Sequence, residues 1–480
     1  MVIARKIAYN VLVSSISKIL ATVLALVSIG LITRYLGKDG FGNYSTVIAF
    51  FAFFTALSDL GLSSISTREI SRNGADEEKI MGNVFTLRVA TALLVVIVSP
   101  AIIFFFPYDP EVKRGILVAA LAFFFSSSYQ ILNGVFQKNL AIDKIAFSEL
   151  IGKLIQVSGV FLAIKFGLGF DWIIASLLAY MIASFLMIFF WSKKYIKIRL
   201  RFNIGYWKEF LKESYPIGAV TIITFIYFKI DTIMLSLMRT SADVGIYNAA
   251  YKIIENITFF PGMIMGLIFP IMSHSIFSDR EKFQDISNKT FKVFLIFVLP
   301  LVVGTVFLSD GIINLIGGAG FFESANVLRI LVFSLAFIFF GNFFNAILIS
   351  GNQQKKLMYI LALAAVINVS LNYILISKFS YFGAAWVAVA TEFFVASGTF
   401  LLVFKKIKYM PKAEKFLGIA GAAFFMGLVL YLSESAGFFA RGFMSVATYM
   451  LFLWVFKAVK TEEITSIISK RGIKEYEEIS

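Results

Sequence analysis

Charged side chains inside otherwise apolar stretches are the first place this sequence could do chemistry. The cations are Lys18, Arg88, Lys153, Lys229 and Lys252; the carboxylates are Asp59, Asp231, Glu255 and Glu392. A Lys or Asp at the centre of a membrane helix costs about 2.5 to 3.5 kcal/mol on insertion scales, so such residues face a protein interior or an aqueous cavity. Lys18, Lys229, Lys153, Arg88 and Lys252 together read as a cationic cleft that attracts a phosphate-bearing ligand, for which lysine is suited as a point charge. Asp59, Asp231, Glu255 and Glu392 read as candidates for ion or proton coupling. A structural reading competes with both. In it Lys229 is neutralised by Asp231 or Glu255, Lys153 by Glu149 one helical turn earlier, and Arg88 snorkels from near a helix end.

No catalytic constellation accompanies these charges. The sequence has no phosphate-binding Gly-x-x-x-x-Gly-Lys-Ser/Thr loop and no Gly-x-Ser-x-Gly elbow. With no cysteine and a single histidine, His274, no disulfide, thiolate metal site or histidine cluster is expected, and no cofactor.

The elements that must hold these charges are membrane helices. The 480 residues are 59% hydrophobic and 15% charged, with a mean hydropathy of +0.85, far from soluble domains. Apolar segments of about 20 residues recur to give about fourteen spans, an all-α integral membrane protein. The first two helices are expected over 7–36 and 44–66. A helix over 84–106 carries Arg88, one over 146–166 carries Lys153, and one over 215–238 carries Lys229 and Asp231. Helix eight is expected over 248–271, kinked by Pro261 and Pro270. Helices over 358–377 and 382–404 hold Asn368, Asn372 and Glu392.

An internal repeat organises the order. Arg34-Tyr-Leu-Gly-x-x-Gly-Phe-Gly-Asn-Tyr44 is a looser copy of Arg239 to Tyr247, with Gly-x-Tyr at 42–44 and again at 245–247. An offset of roughly 200 residues implies two large halves rather than a solenoid. This gives an N-lobe of six helices (1–192), a basic interfacial linker (193–214), a C-lobe of six helices (215–406), a last helix pair (407–457) and a tail (458–480). In the tail Ile464, Ile467 and Ile468 fall at the spacing of a short surface helix. Even-numbered repeats run parallel, with a cleft between them.

The net charge of +15 is read by location. Roughly 30 of the 44 Lys and Arg fall in alternate loops that include both termini, so both termini are expected in the cytoplasm. The run Lys193 to Arg201 follows this rule or binds anionic headgroups; nucleic acid is not expected as a partner.

Lys229-Ile-Asp231-x-Ile-Met-Leu, Val244-Gly-Ile-Tyr247-Asn-Ala-Ala250, Tyr35-Leu-Gly-x-x-Gly-Phe-Gly-Asn-Tyr44 and Asn372 with Tyr381-Phe-Gly-Ala-Ala385 resemble the polysaccharide transporter branch of the multidrug/oligosaccharidyl-lipid/polysaccharide exporters, which includes the O-antigen flippases. The resemblance spans about 7–404. It implies alternating access by two six-helix lobes, a positively charged lumen, and movement of a lipid-diphosphate-linked oligosaccharide from the inner to the outer leaflet of the cell membrane. Partners on this reading are the lipid-linked glycan, membrane lipids and polysaccharide-assembly proteins. A multidrug/organic-cation antiporter of the same superfamily and a lipid II flippase remain alternatives. The deep lysines weigh against the first, and the absence of clustered arginines in helix one against the second. An integral-membrane glycosyltransferase would need a longer outer loop than this sequence offers.

Overall fold

The computed structural model describes residues 2–413 and 415–459; the surface helix expected at Ile464, Ile467 and Ile468 lies outside the described residues. Among the described residues there are helices and no strand. Among the described residues eleven helices are long and apolar enough to cross a membrane, and the shorter Phe416–Leu432 is also apolar. Two are long enough to cross twice: Val13–Asp59 has 47 residues and Gln354–Ile407 has 54. At 1.5 Å per residue each is about 70 to 80 Å long, against about 30 Å of hydrocarbon. Both contain a break, at Gly37 (φ 67°) in α1 (Val2–Asp59) and at Ser380 (φ 50°) in α13 (Gln354–Leu402).

The break at Gly37 replaces the loop expected over residues 37–43. A glycine enters the left-handed region without a Cβ clash, so the helix breaks at one residue and resumes at Lys38. Leu60 and Gly61 then take φ of 44° and 76°, ending α1 at Asp59 and setting off α2 (Leu62–Ile70). Helix two is therefore shorter than expected at its far end. Close approach explains Gly61: a Cβ there would lie 2.5 Å from the Ser214 carbonyl oxygen, and its counterpart Gly218 meets the Leu60 backbone at the same distance.

The Gly-x-Tyr motifs are helical, not loops, and they pack on one another. A Cβ on Gly42 would fall 1.7 Å from the Ser241 carbonyl oxygen, and one on Gly245 would fall 2.1 Å from that of Lys38. The repeated arginines also play matching parts. Arg34 donates to the Asn314 and Leu315 carbonyls, at 3.1 and 2.6 Å, and Arg239 to those of Ile376 (3.0 Å) and Ser377. Both cap helix ends where backbone acceptors have no intrahelical partner.

Between these elements lie α3 (Glu77–Phe104), α4 (Pro110–Gln130), α5 (Asn133–Lys138), α6 (Ile142–Lys165), α7 (Phe170–Ser192), α8 (Ile204–Met238), α9 (Ser241–Ile257), α10 (Phe259–Ser278), α11 (Arg280–Gly317) and α12 (Glu323–Ser350). The helix expected over 248–271 is split at Thr258, where Pro261 removes the bond its N–H would make to the Ile257 carbonyl. The chain ends in α14 (Phe416–Leu432) and α15 (Phe438–Val455).

Two compact units result. One takes Met1–Asn256, Ile313–Val327 and Leu361–Val387; the other takes Ile257–Ile312, Leu328–Ile360 and the chain from Ala388. The first has a core around Leu62, Met81, Leu132, Phe136 and Phe210. In the second, α14 and α15 close a core of Ile419, Met426, Tyr449 and Leu453, with the Phe425 and Phe452 rings stacked at 4.0 Å and Tyr449 Oη donating to the Ile296 carbonyl at 2.8 Å. Every candidate charge except Glu392 belongs to the first unit.

Candidate functional site

Lys229 sits one residue past Phe228 on α8, and Glu255 one helical turn past Lys252 on α9. The Lys229 Nζ lies 2.5 Å from Glu255 Oε1, while Lys252 Nζ lies 2.8 Å from Glu255 Oε2, so one carboxylate bridges two ammonium groups. The three-residue spacing on α9 places Lys252 and Glu255 on one face. Tyr251 fixes the pairing: its hydroxyl donates to the Phe228 carbonyl at 2.6 Å and its ring lies 5.1 Å from the Lys229 ammonium.

Two further lysines join from the N-terminal helices. Lys18 on α1 lies 3.8 Å from Glu149 on α6. Lys153, on the same helix, donates to Gln156 Oε1 at 2.9 Å and stands 4.9 Å from the Tyr180 ring. Lys153 is within electrostatic range of Lys18, Lys252, Glu149 and Glu255. Four lysines expected from sequence thus converge around two glutamates. The Glu149 partner that forms a salt bridge is Lys18 from another helix, not Lys153 on its own. The cluster is reachable, with side-chain exposures of 44% at Lys18, 34% at Glu149 and 19% at Lys229.

Arg88 stands apart from this cluster. It does not snorkel: the side chain is fully buried, with Nη2 3.3 Å from Asp59 Oδ1, Nε 3.4 Å from the Ser127 carbonyl and Nη1 on the Ser58 carbonyl. A planar guanidinium serves several acceptors at fixed angles, and here it ties α1, α3 and α4 together. Asp231 is also buried. It accepts from Tyr247 Oη at 2.8 Å and from Asn372 Nδ2 at 3.1 Å, and Asn372 also donates to Asn368 at 2.9 Å. Glu392 is buried in the second unit. The exposed His274 is 3.5 Å from Ser278 on its own helix.

Beside the lysines is a cavity of about 970 Å³. Asp59, Ser63, Ser64 and Thr67 enter it from the end of α1 and from α2; Tyr129, Gln130, Asn133 and Gln137 from the α4–α5 bend. Glu149 enters from α6, and Thr221, Thr224, Phe225 and Phe228 from α8. Among the described residues that line it there is no lysine and no arginine. At the opposite end of the second α1 segment, about 30 Å away by helix rise, Lys38 pairs with Glu323 at 2.7 Å and Thr33 donates to the Ile316 carbonyl at 3.1 Å. The unit is knit together at the Lys38 end and hollow at the Asp59 end. At the hollow end Arg68 bridges Glu69 and Glu213, and these carboxylates hold its guanidinium more firmly protonated than usual.

Several of these lining residues carry no strong signal in the sequence. Ser63, Thr67 and Gln137 are small polar residues at helix ends, which in membranes also serve as interhelical glue. The polar run from Ser126 to Asn133 is the one visible pointer.

The family model for polysaccharide biosynthesis proteins matches residues 7–276, more than half of the chain. The chain belongs to the polysaccharide biosynthesis protein family. A second model, MatE, matches residues 216–374. Among related proteins, one named "Probable low-salt glycan biosynthesis flippase Agl15", from Haloferax volcanii, is 23% identical over 79% of this chain and 79% of its own length. The capsular polysaccharide biosynthesis protein CapF of Staphylococcus aureus is 24% identical over 61% of this chain and 74% of its own. Among solved structures, the lipid II flippase MurJ in an inward closed conformation has a TM-score of 0.76 at 19% identity, covering 93% of this chain and 98% of that one. That likeness shows that this polysaccharide biosynthesis family member shares the fold of that flippase.

Proposed function

We propose that this protein is a flippase that carries a lipid-diphosphate-linked oligosaccharide, a precursor of a cell-surface glycan, from the cytoplasmic to the outer leaflet by alternating access. The observation that carries this reading is the lysine cluster. Among the described residues, Lys18, Lys153, Lys229 and Lys252 gather around Glu149 and Glu255, with Asp231 also acting on Lys229, at the edge of a polar cavity inside a membrane protein of this family. A diphosphate is an anion that this cluster of ammonium groups suits, and the lipid tail stays among apolar helices. On this reading the long helices α1 and α13 each cross twice, giving fourteen passes in two six-helix lobes and a final pair, with both termini cytoplasmic. The hollow Asp59 end faces the cytoplasm, where membrane lipids present the substrate, and assembly proteins receive the glycan outside. Asp59, Asp231, Glu255 and Glu392 are the groups through which an ion or proton gradient drives the cycle, with no cofactor.

The test is leaflet-to-leaflet transfer of a fluorescent lipid-diphosphate-linked glycan in liposomes holding wild type, Lys18→Ala or Lys229→Ala at matched amounts. Wild type transfers the probe, and each lysine variant loses at least about tenfold in rate, as removal of a charge-assisted contact predicts. Wild type that transfers nothing under any imposed ion gradient overturns the reading. A second reading is favoured by the carboxylates Asp59 and Glu149 in the cavity and by the MatE match: an organic-cation antiporter. Export of soluble organic cations by the same liposomes, without lipid transfer, decides for it.

A further inference from the structure

The cavity and the lysine cluster carry opposite chemistry and share a wall. Glu149 lines the cavity and pairs with Lys18; Phe228 lines it too and immediately precedes Lys229. A single ligand that reached both would have an anionic end at the lysines and an uncharged, hydroxyl-rich end in the cavity.

The lining fits such an end. The amides of Gln130, Asn133 and Gln137 offer paired donors and acceptors, and the hydroxyls of Ser63, Ser64 and Thr67 serve in either sense. The carboxylates of Asp59 and Glu149 accept charge-assisted bonds from hydroxyl donors. The volume, about 970 Å³, is at the upper end of ligand pockets and accommodates more than one sugar ring.

The same lining sets a limit on the ligand. With two carboxylates and, among the described lining residues, no lysine or arginine, an acidic sugar seated in the cavity would bring its carboxylate against Asp59 or Glu149. Specificity of this kind comes from repulsion of the wrong partner as much as attraction of the right one. We infer that the cavity is the seat of the glycan part of the substrate and that Asp59 and Glu149 restrict it to non-acidic oligosaccharides, excluding uronic acids. This rests on the flippase reading, since the lysines must hold the diphosphate for the glycan to be placed there.

Binding of three probes to the purified full-length chain in lipid nanodiscs tests it: a short-chain prenyl diphosphate alone, the same carrying a neutral disaccharide, and the same with the terminal sugar oxidised to its uronic acid. The neutral glycan binds about tenfold tighter than the bare diphosphate, the gain from one or two well-placed hydrogen bonds, and the acidic one no tighter than the bare probe. In Asp59→Asn and Glu149→Gln the neutral-to-acidic ratio falls towards one. Because Asp59 also neutralises Arg88, Gln137→Ala is the companion variant and lowers the neutral-to-bare ratio. Ratios are measured on one preparation, so a loss of folding that weakens all probes alike does not imitate the effect. If the bare diphosphate binds but the three probes bind equally, or the acidic glycan binds tightest, the inference falls while the flippase reading survives. Glycan probes that discriminate although the bare diphosphate does not bind would remove the lysine seat, and with it this placement of the glycan. Absence of binding by all three overturns both.

Discussion

Arg88 and Lys229 are both cations placed inside apolar helices, and the protein treats them in opposite ways. Arg88 is walled in, with its positive charge divided between Asp59 and the carbonyls of Ser58 and Ser127. Lys229 remains 19% exposed, held by a carboxylate that it shares with Lys252. A guanidinium matches several fixed acceptors at once, so arginine becomes a bolt between helices; an ammonium on a flexible stem can exchange its partner. The intramembrane cost of a charge therefore does not by itself identify a functional residue. What separates the two is whether the counter-charge can be replaced by a ligand.

The sharpest way to break the comparison is to remove the bolt. Arg88→Ala leaves Asp59 and two carbonyls without their cation, and stripping one partner from a buried pair costs about 3 to 5 kcal/mol. We expect a large fall in thermal stability and in the yield of folded protein in detergent. Arg88→Lys should recover only part, because one ammonium cannot fork to all three acceptors. If Arg88→Ala melts like wild type but fails to bind substrate, Arg88 belongs with the lysines after all.

Asp231 sharpens the contrast from the anionic side. It is buried like Arg88, but its partners are neutral: Tyr247 and Asn372. Asp231→Ala strands those two donors, at about 1 to 3 kcal/mol for each unsatisfied group, so its melting point should fall by less than that of Arg88→Ala. Should Asp231→Asn keep full stability yet abolish gradient-driven transfer, the charge serves coupling and not packing.

Lys229→Ala should give the reverse profile. Glu255 keeps Lys252, and the site is near water, so stability should change by about 1 kcal/mol or less while transport drops at least about tenfold. A melting curve and a transfer rate on one preparation separate the two effects.

Much of this contrast is legible in the amino-acid sequence, for a physical reason. A charge inside an apolar run requires a partner within reach, which for Lys229 narrows the choice to Asp231 or Glu255. Lys18 with Glu149 is not legible in this way, because that pair joins helices more than a hundred residues apart and its geometry depends on packing. The break at Gly37 is legible as a turn, since Gly37, Asp39, Gly40, Gly42 and Asn43 crowd together, though not that it takes one residue; the break at Leu60 is hidden, because the Leu60 backbone is set against Gly218 by close helix approach. The cavity is least legible, since Ser63, Thr67 and Gln137 are as suited to joining helices as to meeting a sugar.

The smallest effect we expect lies at the far end of α1, where Lys38 and Glu323 form a half-buried pair. Unlike the Lys229 cluster it does not adjoin the 970 Å³ cavity, and unlike Arg88 it is wet, so Glu323→Gln should cost less than about 1 kcal/mol of stability. Its influence should fall on conformation. If this pair helps to keep the Lys38 end shut while the Asp59 end is hollow, weakening it shifts the population towards the opposite state by the same small free energy, about two- to fivefold. Spin labels or fluorophores placed on α1 beyond Gly37 and on α12 would report a wider distance distribution in Glu323→Gln than in wild type. Arg34, which also caps α11 at this end, should add to the shift when replaced together with Glu323. An unchanged distribution in the double variant would mean that the packing of Gly42 against Gly245, not the ion pair, holds this end closed.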